Sequence, residues 1–288
     1  GLFKEFTDRI RRHYVATYGE NSEQVKVSSD GFHFEPSVGE KILLDMLAEC
    51  PSITVHTQRQ FDAEPERVGM RDGRLGSVTV RNLATGADET YTGAAFIDAT
   101  YEGDLAAAAG VPFSTRREGF SDYHEPMAGR VYQKWGSKEV GEGSTFEGDD
   151  TIQAYNFRLC LTDRPDNLVP FPKPPHYDRA EYASLVDDLK LDRMPGVHVQ
   201  EREWDGVGRI TNIVWLPNGK TDANNQHLAF ISTDLPEENY RWPIADWAWR
   251  DQFQTRLRNY TLGLFWFLQN DPEVPESFQK NARRFGLA

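Results

Sequence analysis

Within FIDATYEGDLAAAAG, residues 96–110, an apolar run gives way to Asp98, Ala99, Thr100, Gly103 and Asp104, and then to nearly bare alanines. Carboxylates, a hydroxyl and a glycine at the carboxyl end of a buried strand are what open α/β sheets present to a ligand. Small residues after them let backbone pack close to neighbouring elements. Strand–glycine–helix turns also occur with no ligand, so the motif needs support from elsewhere in the chain.

A second set lies in AYNFRLCL, residues 154–161. Alternation puts Tyr155, Phe157 and Leu159 on one face and Asn156 and Arg158 on the other. An arginine beside an amide suits a carboxylate or a polyhydroxylated substrate. The same residues would serve as a surface pair on an edge strand, or in an ion pair with Asp163. NGKTDANN, residues 218–225, concentrates Lys220, Asp222, Asn224 and Asn225 in what reads as one loop. Such a loop suits substrate contact, through Asp222 and Asn224, as well as it suits Asx-turns. His124 and Glu125 have proton-transfer chemistry, but adjacent residues in extended chain point apart. No HExxH, HxH or GxSxG occurs, so neither a metal site nor a nucleophile elbow is indicated.

These residues need a frame. The chain has 288 residues, 39% hydrophobic and 27% charged, with a net charge of −13. That acidity argues against nucleic acid as a partner. No apolar run reaches the ~18 residues of a membrane span. Cys50 and Cys160 stand far apart with no CxxC, which rules out a disulfide framework, a structural zinc site or an iron–sulfur cluster held by this chain alone.

Apolar spacing predicts a helix over 2–18 with Leu2, Phe3, Phe6, Ile10 and Tyr14 on its stripe. A second helix in FEPSVGEKILLDMLAEC has Pro36 in its first turn and Val38, Ile42, Leu43, Met46 and Leu47 facing inward. ITVHT, 53–57, reads as a strand. Residues 59–92 read as an antiparallel set with turns at Asp72-Gly73 and Thr85-Gly86. AAFID, 94–98, reads as a strand buried on both faces. Beyond about residue 117 prolines and aromatics thicken. There HVQEREWDGVGRITNIVWLPNG reads as a hairpin turning at Asp205-Gly206. A long helix over 245–270 carries Trp249, Phe253, Leu257, Tyr260, Leu264 and Leu268, and a short helix follows Pro275.

Helix, strand, antiparallel hairpins, returning strand, DAT-x-x-GD and a small-residue helix follow in an order that resembles the interior of glutathione-reductase-like FAD-dependent oxidoreductases. The FHFEPSVGEKILLDML, AYNFRLCLT and NGKTDANN stretches resemble the broader FAD-dependent oxidoreductase family, with heterodisulfide-reductase-A-like flavoproteins as relatives. Tyr101 stands where the family has a glycine, and the only near match to GxGxxG, GVGRIT at 206–211, reads as a turn.

The resemblance implies an α/β, overall α+β, fold. Residues 1–117 would be the second half of an FAD-binding Rossmann-like domain with a β-meander, and 118–288 a loop-rich substrate or cap-like domain ending in a long helix. It implies FAD as cofactor, with Ala99, Thr100 and Gly103 beside the flavin and Gln60 and Phe61 near the adenine end. Tyr155, Asn156, Arg158, Asp222 and Asn224 would face a small-molecule substrate. An electron-transfer partner and the localisation are left open. With no GxGxxG present, residues 1–288 alone are expected to bind FAD weakly. The rival reading is a non-catalytic or carbohydrate-active domain using Trp242, Trp247 and Trp249 as a platform and Glu147 and Asp149 as paired acids.

Overall fold

The computed structural model describes residues 1–133, 139–191 and 206–288. The first helices are α1 (Leu2–Tyr18), α2 (Glu23–Val27) and α3 (Pro36–Ala48). Strands β1 (Arg59–Gln60), β2 (Val68–Arg71), β3 (Arg74–Asn82) and β4 (Asp88–Thr92) follow, then short helices α4 (Asp104–Ala108) and α5 (Phe120–Tyr123). The rest comprises β5 (Leu159–Thr162), α6 (Leu185–Lys190), β6 (Thr211–Leu216), β7 (Lys220–Asn225), α7 (Trp247–Asn270), α8 (Glu276–Ala282) and β8 (Gly286–Leu287).

These elements form two compact units that do not follow the expected division at residue 117. One comprises Gly1–Ile53, Tyr155–Leu235 and Arg256–Ala288; the other comprises Thr54–Ala154 and Pro236–Thr255. A chain can leave a packed unit and return to it, and composition along the sequence does not register the return.

The Thr54–Ala154 unit is built on the antiparallel meander. β3 pairs with β2 and β1 along one edge and with β4 along the other. The β2–β3 turn has Asp72 at φ 52° and Gly73 at φ 71°, the left-handed pair that a two-residue hairpin demands. Glu89 ties the sheet together. It accepts two hydrogen bonds from Arg59 at 2.9 Å, and one each from Asn82 Nδ2 and Tyr91 Oη at 2.7 Å. Those donors hold its carboxyl at about 2, and the Arg59 fork fixes the short strand that carries Gln60.

The other unit has a four-stranded antiparallel sheet in the order β6-β7-β5-β8. Leu161 and Ala223 on one sheet face are fully buried with Leu264, Phe265, Phe267 and Leu268 of α7. The Phe171 and Phe265 rings stack at 4.3 Å between centroids. Each such side chain taken wholly out of water contributes about 1.5–3 kcal/mol before conformational entropy is subtracted. A second cluster joins α1, α2 and α3 through Ile10, Tyr14, Val25, Val38 and Ile42.

Four expectations are corrected. AAFID forms no strand, and Ile97 is 89% exposed. ITVHT likewise lies outside any strand, with Val55 exposed. An apolar run makes a strand only when a neighbour completes its hydrogen bonds, and neither run has a ladder partner among the described residues. On α3, Val38 and Ile42 are buried, but Leu43 and Leu47 are exposed, as are Leu2 and Phe3 of α1. NGKTDANN is strand β7 after the Asn218-Gly219 turn, not a loop. β6 and β7 form a hairpin turning at 217–219. The first strand of the hairpin expected at Asp205-Gly206, and Asp205 of its turn, fall on 198–205, outside the described residues.

Candidate functional site

The DAT-x-x-GD stretch builds itself. Asp98 Oδ1 accepts from the Thr100 backbone N–H at 2.9 Å and the Thr100 hydroxyl at 2.8 Å, and Oδ2 accepts from Ala106 N–H at 2.9 Å. Thr100 Oγ1 accepts from the N–H groups of Gly103 at 2.9 Å and Asp104 at 3.3 Å. Burial alone would raise the Asp98 pKa, but these donors outweigh it and hold the carboxyl below the usual aspartate range. The first-turn N–H groups of α4 are thus satisfied from within the turn. The polar groups of Asp98 and Thr100 shape the backbone and are not turned toward a ligand.

What the turn presents outward is backbone. Ala99, Thr100 and Tyr101 are exposed. Gly103 has φ 74°, and a Cβ placed on it would meet no atom within 4 Å. Its left-handed conformation is what requires glycine there.

Behind the turn sits an arginine that spacing and composition did not reveal. Arg250, 2% exposed, donates through both terminal nitrogens to the two oxygens of Asp104, itself 5% exposed, at 2.6 and 2.8 Å. It also donates to the carbonyls of Trp242 and Pro243, each at 3.1 Å, and lies over the Trp247 and Trp242 rings. Trp242 Nε1 donates to Glu102 and Trp247 Nε1 to the carbonyl of Phe61, each at 2.7 Å. Gln60 pairs with Arg81 in the meander. Phe61, Glu102 and Asp104 are therefore held by one short segment. The available sequence signal was an arginine set among tryptophans at a predicted helix start.

In the other unit, Arg158 and Asp222 form a two-pronged ion pair, with the Nε–Oδ1 distance 2.8 Å. Asp163 pairs instead with Arg284 at 3.3 Å. Register places Thr221 and Ala223 inward, both fully buried, and leaves Asp222 and Asn224 on the opposite, part-exposed face of β7. Asn156 bridges to Asp234 in antiparallel register, with Tyr155 half-buried beside it.

A directed chain of amides runs through this bridge. Asn156 Nδ2 donates to Asn225 Oδ1, and Asn225 Nδ2 donates to Asp234 Oδ2, both at 3.2 Å. The carboxylate can only accept, so it orients both amides and leaves Asn156 Oδ1 as the last acceptor. That oxygen is buried with no hydrogen-bond partner among the described residues. Burial raises the Asp234 carboxyl above its ordinary range against the pull of hydrogen bonds from Ser232 and Asn225. Asp234 had no sequence signal; nothing near it repeats or clusters.

The family model for "FAD dependent oxidoreductase" matches residues 1–286. The chain belongs to the FAD-dependent oxidoreductase family. No curated protein and no solved structure matches it.

The FAD-dependent oxidoreductase family brings its cofactor with it, and the residues present fit that group at one place. The Ala99–Thr100 backbone, held by Asp98 and Thr100, and the open Gly103 give a fixed surface against which a flat ring system or its chain can lie, with the exposed Tyr101 ring beside it. Ala99, Thr100 and Gly103 would hold FAD through backbone contact. When bound, FAD supplies the hydride or electron chemistry.

His124 is exposed, with φ 57°, and donates its backbone N–H to Phe120, which leaves it a turn residue. Asp149 is held below the usual range first by the Thr151 hydroxyl and then by Arg130 and Arg117. Trp242 and Trp249 pack on Phe253. No helix among the described residues is long and apolar enough to cross a membrane.

Proposed function

We propose that this protein catalyses flavin-mediated hydride or electron transfer on a small hydroxylated molecule. Ala99, Thr100 and Gly103 lie beside the flavin, and Gln60 and Phe61 toward its adenine end. Asn156, with Tyr155, Arg158, Asp222 and Asn224, receives the substrate. The observation that carries the substrate class is the buried, unpartnered Oδ1 of Asn156. An unpartnered acceptor oriented in advance by a carboxylate two residues down the line is complementary to a hydroxyl or N–H donor, which has to displace the side chains covering it to reach it. Arg158 is engaged by Asp222, so it recognises an acidic substrate group only by exchanging one carboxylate for another. Asp234 is the acidic member of this line, and burial raises its carboxyl above the ordinary aspartate range.

The test uses the full-length natural polypeptide loaded with FAD and mixed anaerobically with a panel of polyols and hydroxy acids. Substrate turnover bleaches the visible flavin band. The proposal expects bleaching by a hydroxylated compound, with Asn156→Ala needing about tenfold more of it at unchanged flavin content. Bleaching with an unchanged concentration dependence in Asn156→Ala would remove Asn156 from the substrate site. No bleaching by any panel member would remove the substrate class.

A further inference from the structure

Two stretches assigned to the cofactor, Gln60-Phe61 and Ala99–Gly103, are far apart in sequence, and no strand ladder joins them. Among the described residues β1 pairs only with β3, and residues 94–100 lie outside any strand. Yet both are hydrogen-bonded to the same nine residues. Trp247 Nε1 holds the Phe61 carbonyl, Trp242 Nε1 holds Glu102, and Arg250 holds Asp104 with both prongs. The arginine also fastens the segment to itself through the Trp242 and Pro243 carbonyls and packs over the two indoles. Each of these contacts lies within one unit of the chain.

We propose that Trp242–Arg250 is a clamp that sets the distance between the two cofactor stretches, with Arg250 as its positioning residue, and that FAD retention depends on it. This inference rests on the cofactor assignment above. Its physical basis is that a ligand spanning two surfaces binds tightly only if their separation is fixed beforehand. A planar guanidinium gripped by a carboxylate, two carbonyls and two rings has no alternative position. A lysine keeps the charge but loses the fork and the stacking. The clamp does not touch the cofactor; it acts through Phe61, Glu102 and Asp104.

The experiment measures FAD affinity by flavin fluorescence in the full-length natural polypeptide, well below the melting temperature of each variant. Arg250→Lys and Asp104→Asn are each expected to raise the FAD Kd about tenfold, and the double variant no further, because both remove one interaction. Trp247→Phe keeps an aromatic ring and loses only the N–H to Phe61, so it stays testable if the charge variants fail to fold. It is expected to raise the Kd several-fold. Arg179→Lys, which weakens a more exposed arginine–carboxylate pair with Asp271 in the other unit, is the control. It is expected to lower the melting temperature and leave the FAD Kd unchanged. Wild-type FAD affinity in both Arg250→Lys and Trp247→Phe would overturn the clamp while leaving the cofactor assignment standing. Absence of FAD binding by the wild type would overturn the assignment and the clamp with it.

Discussion

Replacing Glu35 by alanine tests how the polar face of β7 is supported. The Glu35 side chain is 9% exposed and takes three donors: Lys220 Nζ at 2.8 Å, Asn218 Nδ2 at 2.8 Å and Tyr14 Oη at 3.3 Å. Tyr14 accepts in return from the Glu35 backbone N–H at 3.0 Å. In Glu35→Ala the donors do not suffer equally. Lys220, a quarter exposed, regains water, and half-buried Asn218 partly does. Tyr14 is fully buried, so its hydroxyl loses an acceptor that nothing replaces, which costs about 1–3 kcal/mol. With the partly desolvated ammonium added, the expected loss is about 2–4 kcal/mol, short of the full penalty for a buried broken pair. Glu35→Gln keeps one acceptor and is expected to cost about 1–2 kcal/mol. Urea unfolding of both variants, followed by circular dichroism, reads the two numbers. A loss under about 0.5 kcal/mol for Glu35→Ala would mean that water reaches the carboxylate and that the burial argument is wrong.

Other outcomes follow from the same geometry. Gly103→Ala meets no atom, so its cost to stability is the left-handed backbone alone, about 1–2 kcal/mol; its cost in FAD affinity, by fluorescence titration, is expected to be larger if the flavin lies against that backbone. Gly31→Ala combines φ 87° with a Cβ driven into the Thr7 carbonyl and is expected to lower the melting temperature sharply, by about 3 kcal/mol or more in stability. Glu89 has a folded pKa of about 2 against an ordinary value of about 4.3. Its contribution to stability is therefore complete above the ordinary value and disappears as pH falls toward the folded one. Glu89→Gln should flatten that acid limb in melting experiments run between those pH values. Asp234→Asn is expected to remove one ionisation from the pH profile of flavin reduction while leaving FAD content unchanged.

Local chemistry was readable from the residues and long-range pairing was not. Asp72-Gly73 specified its turn because left-handed backbone is a property of those two residues. α7 was readable because its apolar positions keep helical spacing over several turns. β7 was misread because Lys, Asp and Asn are poor strand formers, and pairing on both sides by β5 and β6 overrides that preference. Ile97 was read as buried, and 53–57 as a strand, because apolar and β-branched content was equated with a sheet position. On α3 the helix was evident, but only the Val38–Ile42 stripe is covered, since spacing gives the faces of a helix and not which face meets a partner. Thr100 and Gly103 were singled out by type, and the Thr100 hydroxyl serves the turn itself. Arg158 and Asp222 were each singled out, but not as partners. Arg250 was not singled out despite the tryptophans around it, because its carboxylate partner Asp104 lies far away in the chain, and Asp234 was not, because no repeat or cluster surrounds it.

The central claim is that this protein binds FAD with its Ala99–Gly103 turn against the cofactor. The most direct measurement is the visible spectrum of the full-length natural polypeptide as purified and after titration with FAD, repeated with Gly103→Val. The account predicts a protein-bound flavin band at about one FAD per chain in the wild type, and a marked loss of bound flavin in the folded variant. A colourless wild type that takes up no FAD, or a Gly103→Val variant that binds FAD as tightly as the wild type, would contradict it.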